Sequence, residues 1–294
     1  MSREYAIPEG YVSDLGGRDF ALPGGFLAGE PIVIPPVITT PPVFRSHGVI
    51  SYSSAPGPQT TVPAPAGIVD GDTLIGLMFN ANNGSRPGNP TPPTGFTQVS
   101  TYLTPGPSGF MGRVSVWKKI AAGESGGYVW GHDSGTPREI LMLCYSGSNG
   151  TVNASSALNE DSPGTTTRTA TGITTTVANC MVVELGYDWG DNSNETPPTD
   201  MTERYDGVIT YAAEVVQATA GATGDKTNTC NSNPPNPRGA FLIALEPAPP
   251  ASTGYPKVWT GSAWTKKPAK VWNGTTWAQK PVKVWTGSIW KVLS

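Results

Sequence analysis

Glu139-Ile140-Leu141-Met142-Leu143-Cys144-Tyr145-Ser146-Gly147 is the stretch that decides the fold. Six apolar residues follow one another without a polar break, and a turn pair, Ser-Gly, ends the run. Six residues are too few for a globular helix, and an unbroken apolar strand is one buried on both faces, as at the centre of a β-sandwich. Thr73-Leu74-Ile75-Gly76-Leu77-Met78-Phe79-Asn80 reads the same way. Arg113–Ala121 differs: Val114 and Val116 alternate with polar neighbours, then Lys118 and Ile120 follow, so one face turns inward.

Working outward, residues 45–248 hold nine or ten such runs, each bounded by Gly, Pro, Asn or Ser. Besides those above they are 48–54, 96–103, 128–132, a Thr-rich stretch near 166–176, 180–188, 208–217 and 240–247. Only Tyr211–Ala220 has the propensity of a helix. The expected fold is all-β, a jelly-roll-like two-sheet sandwich whose polar connections gather at its ends. Composition agrees. The chain has 36 Gly and 30 Pro among 294 residues, near 22% against about 12% in average usage, which disfavours long helices. Charged residues make up 14%, about half the usual fraction, which speaks against a coiled coil or an ordinary basic nucleic-acid binder. No apolar run approaches the ~18 residues of a membrane span, and Met1–Gly10 lacks the apolar core of a secretory signal. The expectation is a chain made in the cytoplasm, uncleaved and without a membrane span.

The net charge of −3 conceals an asymmetry, because residues 257–294 carry seven lysines and no acid. The same 38 residues form an internal repeat: Lys-Val-Trp, Thr-Gly or Asn-Gly, two residues, then Trp. Trp259, Trp272 and Trp285 stand thirteen apart, as do Trp264, Trp277 and Trp290. Asn273-Gly274 suits a hairpin turn with positive φ, and Pro256, Pro268 and Pro281 punctuate the units. Three small tandem hairpins are expected, joined to the sandwich by a linker over 249–256. Their six indoles pack between repeats or between chains, or stack on a sugar face.

At the other end, Tyr5, Tyr11, Phe20 and Phe26 are spaced among glycines in residues 1–30, with no amphipathic period. Such a segment is either a docking arm whose rings fill grooves of a partner, or a loose leader. Residues 31–44 hold five prolines and form an extended spacer.

Candidate chemistry is sparse. Three cysteines do not make a disulfide framework; Cys144 and Cys180 lie in apolar runs as core residues, whereas Cys230 lies in a loop by composition and, if exposed, could crosslink neighbours. The two histidines, His47 and His132, show no metal-ligand spacing. Asp188, Asp191 and Glu195 cluster in a Gly/Asn-rich segment; they fit a solvated loop, an oxygen cage for calcium, or an acid-base pair of a glycan hydrolase. No phosphate loop, dinucleotide fingerprint or nucleophile elbow occurs. Neither a catalytic residue nor a cofactor is expected.

Gly71-Asp72-Thr73-Leu74, Pro93-Thr94-Gly95-Phe96, Val116-Trp117-Lys118-Lys119, Tyr145-Ser146-Gly147 and Ala220-Gly221-Ala222-Thr223-Gly224, taken in order with the Lys-Val-Trp repeats, carry a resemblance. The chain resembles accessory virion proteins of tailed bacteriophages, minor tail proteins among them. The resemblance spans about 70–248 together with the C-terminal repeats. It implies a non-enzymatic structural component of the virion, assembled in the bacterial cytoplasm, anchored by its N-terminal arm and bound to other tail or capsid proteins. It implies a homo-oligomer, trimers being common, and host attachment through surface glycan. Capsid decoration and a carbohydrate-binding or glycan-hydrolysing module are the alternatives. The resemblance carries no catalytic residues with it.

Overall fold

The computed structural model describes residues 39–53, 57–83, 85–106, 109–133, 138–161, 164–189, 195–230 and 237–249, and six short strands with two turn residues between 257 and 292. One compact unit begins at Ile38. Val43 and Phe44, which composition assigns to the spacer, are already strand residues. All named elements are strands, and no α-helix occurs among the described residues.

The first half of the body contains β1 (Val43–Ser53), β2 (Gln59–Pro63), β3 (Thr73–Asn83), β4 (Thr97–Pro105), β5 (Phe110–Ile120), β6 (Gly127–Gly131) and β7 (Arg138–Ser146). Five of them form an antiparallel sheet in the order β1-β7-β3-β5-β4, and β2 pairs with β6 as a separate ribbon. The second half contains β8 (Ser148–Ser155), β9 (Asn159–Asp161), β10 (Thr167–Ala170), β11 (Thr174–Thr175), β12 (Cys180–Asp188), β13 (Thr202–Asp206), β14 (Thr210–Gln217), β15 (Gly221–Ala222), β16 (Lys226–Thr229) and β17 (Arg238–Pro247). Its main sheet runs β8-β17-β12-β14-β13, with β9 also on β17, and β10 pairs with β16.

The two halves follow one plan. Replacing β1, β7, β3, β5 and β4 by β8, β17, β12, β14 and β13 reproduces the sheet order, and ribbon β10-β16 stands for ribbon β2-β6. Registers agree as well. Leu77 pairs with Leu141 and Val116, and its counterpart Leu185 pairs with Phe241 and Ala212. Each edge strand carries a bulge at the same place, between Gln98 and Ser100 and between Glu203 and Tyr205. Thr91 bridges Gly131, and Thr196 bridges Thr229. With the structure as guide the repeat becomes visible in the chain, as Asn89-Pro90-Thr91-Pro92-Pro93-Thr94 against Asn194-Glu195-Thr196-Pro197-Pro198-Thr199, and as Pro137-Arg138 against Pro237-Arg238.

The halves pack face to face. Ile75, Leu77 and Phe79 of β3 and Leu141 and Leu143 of β7 meet Val183, Leu185 and Tyr187 of β12 and Phe241 and Ile243 of β17 in one buried cluster. Phe79 stacks on Tyr187, the residue at the equivalent position of the other half, with ring centres 5.6 Å apart. Each fully buried side chain of this size contributes roughly 1.5–3 kcal/mol.

The outer faces are covered too. Val62, Tyr128 and Trp130 of the first ribbon lie on Leu74, Met78 and Met142. Ala170 of the second ribbon and Ile173 lie on Val182, Ala240 and Leu242. An antiparallel sandwich ordinarily leaves each outer face to water; here four layers stack, which is why β3, β7, β12 and β17 are buried at nearly every position. Cys144 and Cys180 are buried within these layers, as their apolar runs lead one to expect.

Candidate functional site

The ribbons carry much of the polar chemistry of the body, and they occupy equivalent positions in the two halves. In the first, Arg138 Nε donates to Thr60 Oγ1 at 2.8 Å. The Thr60 hydroxyl donates to His132 Nε2 at 2.7 Å, and His132 Nδ1 donates to the Asp133 carbonyl at 2.8 Å. Burial holds His132 below the usual imidazole pKa, so the ring is neutral and both nitrogens are engaged. Nearby, Lys119 pairs with Glu124 at 2.6 Å, and the Tyr128 hydroxyl donates to the other Glu124 oxygen at 2.9 Å. Burial works to raise the Glu124 pKa, but the bonds from Lys119, the Ala122 N–H and Tyr128 outweigh it and the net shift is downward. Lys119 also sits over the rings of Phe96 and Tyr128. Between this ribbon and the Thr91–Thr94 loop lies an open, largely polar groove of about 780 Å³.

In the second half the equivalent places hold charge. Arg168 replaces Thr60, Asn228 replaces Trp130, Cys230 replaces His132, Asp188 replaces Asn80, and Glu195 replaces Pro90. Arg168 reaches across Gly186, where an added Cβ would lie 2.5 Å from the guanidinium carbon. Its two terminal nitrogens donate to both oxygens of Glu195, its guanidinium stands 4.7 Å from the Tyr211 ring centre, and Asn228 Nδ2 donates to Glu195 Oε2 at 2.7 Å. Arg238 pairs with Asp188 at 3.3 Å. Glu184 is fully buried on the same strand as Gly186, and neither of its carboxyl oxygens has a hydrogen-bond partner among the described residues. Burial pushes its pKa up to about 8, raises that of Glu195 against the pull of Arg168, and lifts the Cys230 thiol to about 11. Cys230 is buried. Its loop-like composition pointed to the surface, but the Cys230 N–H bonds the Thr166 carbonyl and closes the ribbon over it. A thiol so placed is shielded from a neighbouring chain.

Of the acidic trio, Asp191 lies outside the described residues. Asp188 and Glu195 do come together, and the third donor beside them is Cys230, all three ligand atoms lying within 4.8 Å of one another. Calcium favours an all-oxygen set; this set includes a thiol, and a guanidinium already faces each carboxylate. What the arrangement does is hold buried charge in place: each ion has an opposite neighbour, which such burial requires.

The tryptophans fall in three separate two-stranded hairpins: β18 (Lys257–Trp259) with β19 (Trp264–Lys266), β20 (Lys270–Trp272) with β21 (Trp277–Gln279), and β22 (Lys283–Trp285) with β23 (Trp290–Val292). Register sets Trp259 opposite Trp264, Trp272 opposite Trp277 and Trp285 opposite Trp290. The tandem hairpins read from the repeat are therefore present as backbone. Tyr5, Tyr11, Phe20 and Phe26 lie outside the described residues.

The groove and the Arg168 cluster escape a reading of the chain alone. His132 and Arg138 stand in short polar segments without a motif, and Arg168 lies in a Thr-rich run with no apolar period. The one available signal was the Thr-Pro-Pro-Thr repeat at 91–94 and 196–199. Comparison with family models, with characterised proteins and with solved structures gives no match to this chain.

Proposed function

We propose that this chain is a non-enzymatic structural component of a tailed-phage virion: a minor tail or particle-surface protein, anchored through its N-terminal segment, that contributes to attachment at the host surface. The observation that carries the reading is the C-terminal array, three hairpins at constant spacing, each with two tryptophans at directly opposed positions. A repeated aromatic pair is a multivalent device, whose avidity grows with repetition when each contact alone is weak. It suits stacking on surface glycan or on other copies of the chain.

The body supports the same reading. Its buried carboxylates at Asp188 and Glu195 are matched to arginines rather than held apart around a substrate cleft. Each half is a reduced jelly roll in this reading, with β1-β7-β3-β5 as one sheet and β2-β6 plus the Thr91 bridge as the other. The resemblance implies a homo-oligomer of such bodies on the particle, trimers being common.

Immunogold labelling of intact particles with an antibody to the body tests the proposal. Gold at the tail tip or fibres is the expected result. Gold spread over the head would make the chain a capsid decoration, and particles without gold would end the virion reading.

A further inference from the structure

The groove beside β6 has a feature that its volume alone does not convey: it is the open edge of a strand. In the ribbon, Gln59 pairs with Gly131, Thr60 with Trp130, Thr61 with Val129 and Val62 with Tyr128. The His132 N–H bonds the Pro58 carbonyl, so the even-numbered residues of β6 direct their backbone groups toward β2 and the odd-numbered ones direct theirs away. Gly131 obeys this rule, exchanging both of its outward bonds with Thr91, each at 2.9 Å. Thr91 is thus the first rung of a third strand. The next two residues are Pro92 and Pro93; proline has no N–H to add to a ladder, and the chain turns away, with the Phe96 N–H closing on the Pro93 carbonyl. The outward N–H and C=O of Val129 have no backbone partner among the described residues, and the Val129 side chain is 46% exposed. The groove opens at this point.

We propose that the edge of β6 at Gly127 and Val129 receives an extended, uncharged segment of a partner protein, which runs antiparallel to β6 and continues the ladder begun by Thr91. Main-chain bonds supply affinity in such strand addition, and alternate side chains supply selectivity. The residue opposite Val129 faces outward beside an exposed valine, which favours a β-branched side chain. The residue opposite Tyr128 faces inward toward the closed Lys119–Glu124 pair. A charged side chain there would compete with one member of that pair and strand the other, so Thr, Ser, Val or Ala fits. The inference stands on the groove's geometry and is independent of where the protein sits on a particle.

The test uses the full chain, immobilised, and two pools of N-acetylated, C-amidated hexapeptides, one drawn from Thr, Val, Ser, Ile, Asn and Ala, the other with Lys and Glu added at alternate positions. The uncharged pool is expected to be retained at least tenfold better than the charged one, and amide exchange at Val129 is expected to slow at least tenfold in its presence. Val129→Pro removes the outward donor while leaving the bonds to β2, and retention should be lost. Should that variant fail to fold, Thr94→Trp on the exposed groove rim is expected to block retention instead. No retention by the wild type, equal retention of both pools, or protection of Val129 by maltohexaose rather than by peptide overturns the proposal, the last outcome making the groove a saccharide site.

Discussion

Glu184 shows how much one side chain can reveal about the environment around it. Its carboxyl lies between the second main sheet and the ribbon, and burial raises its pKa to about 8. The folded value lies above the unfolded one, about 4.3, so the folded protein holds a proton that the unfolded chain releases. The stability linked to that proton is fully present below pH ~4.3 and is lost as pH rises through about 8. Glu184→Gln keeps the shape and removes the titration. Its melting temperature is expected to exceed that of the wild type at pH 8.5, by a stability difference on the order of 5 kcal/mol, and the gap should shrink to about 1 kcal/mol at pH 5. Thermal denaturation at the two pH values checks this; a gap that does not change with pH counts against a buried, neutral Glu184. Arg168 beside it could not be read from the chain as a buried residue, since a guanidinium in a polar Thr-rich run looks solvated until Glu195, some twenty-seven positions later, is brought to it.

At the scale of elements, the turn entering the central strand of each half is a shared device with different residues. Gly71 precedes β3 with φ +91°, and Asn179 precedes β12 with φ +61°. Left-handed backbone costs most side chains about 1–2 kcal/mol, and asparagine less than alanine. Nothing lies within 4 Å of a Cβ added at Gly71, so the cost there is conformational alone. Gly71→Ala is expected to destabilise by about 1 kcal/mol and Gly71→Asn by clearly less. Urea unfolding midpoints decide it, and equal losses would break the equivalence of the two turns. The strands legible in the sequence were those buried on both faces or alternating cleanly, such as β3, β5, β7, β12 and β17. β2, β13 and β16 are short and mostly polar, and the inward positions of the second ribbon include Arg168, Lys226 and Asn228, so no hydrophobic period marks them; β10 was legible only as a Thr-rich stretch. Tyr211–Gln217 has helical propensity yet forms β14, because strands on both sides, β12 and β13, complete its hydrogen bonds.

For the whole molecule, the shared core makes each half depend on the other. The inner faces of the two main sheets form one cluster, and only Gly147 separates β7 from β8. Residues 39–146 and 148–248 expressed separately would each expose an apolar sheet face, a known aggregation hazard. Each half alone is expected to be insoluble or self-associated, and the two co-expressed are expected to purify together as a folded complex. Co-purification followed by near-UV circular dichroism is the check; two separately folded, monomeric halves would show that the face-to-face cluster is dispensable.

What the sequence by itself determined is local: the all-β class, the position of strands built on dense apolar runs, the burial of Cys144 and Cys180, and the thirteen-residue hairpin repeat. These follow from periodicity and turn chemistry, which act over a few residues. Only the tertiary structure decided the rest: that a second, longer repeat spans the body, that the sheets are four layers deep, that Cys230 is enclosed, and that the edge of β6 lies open beside Pro92 and Pro93. Those features depend on partners many tens of positions away, as Phe79 on Tyr187 and Glu139 on the Ile209 N–H, and no local pattern states which distant surface a strand will meet.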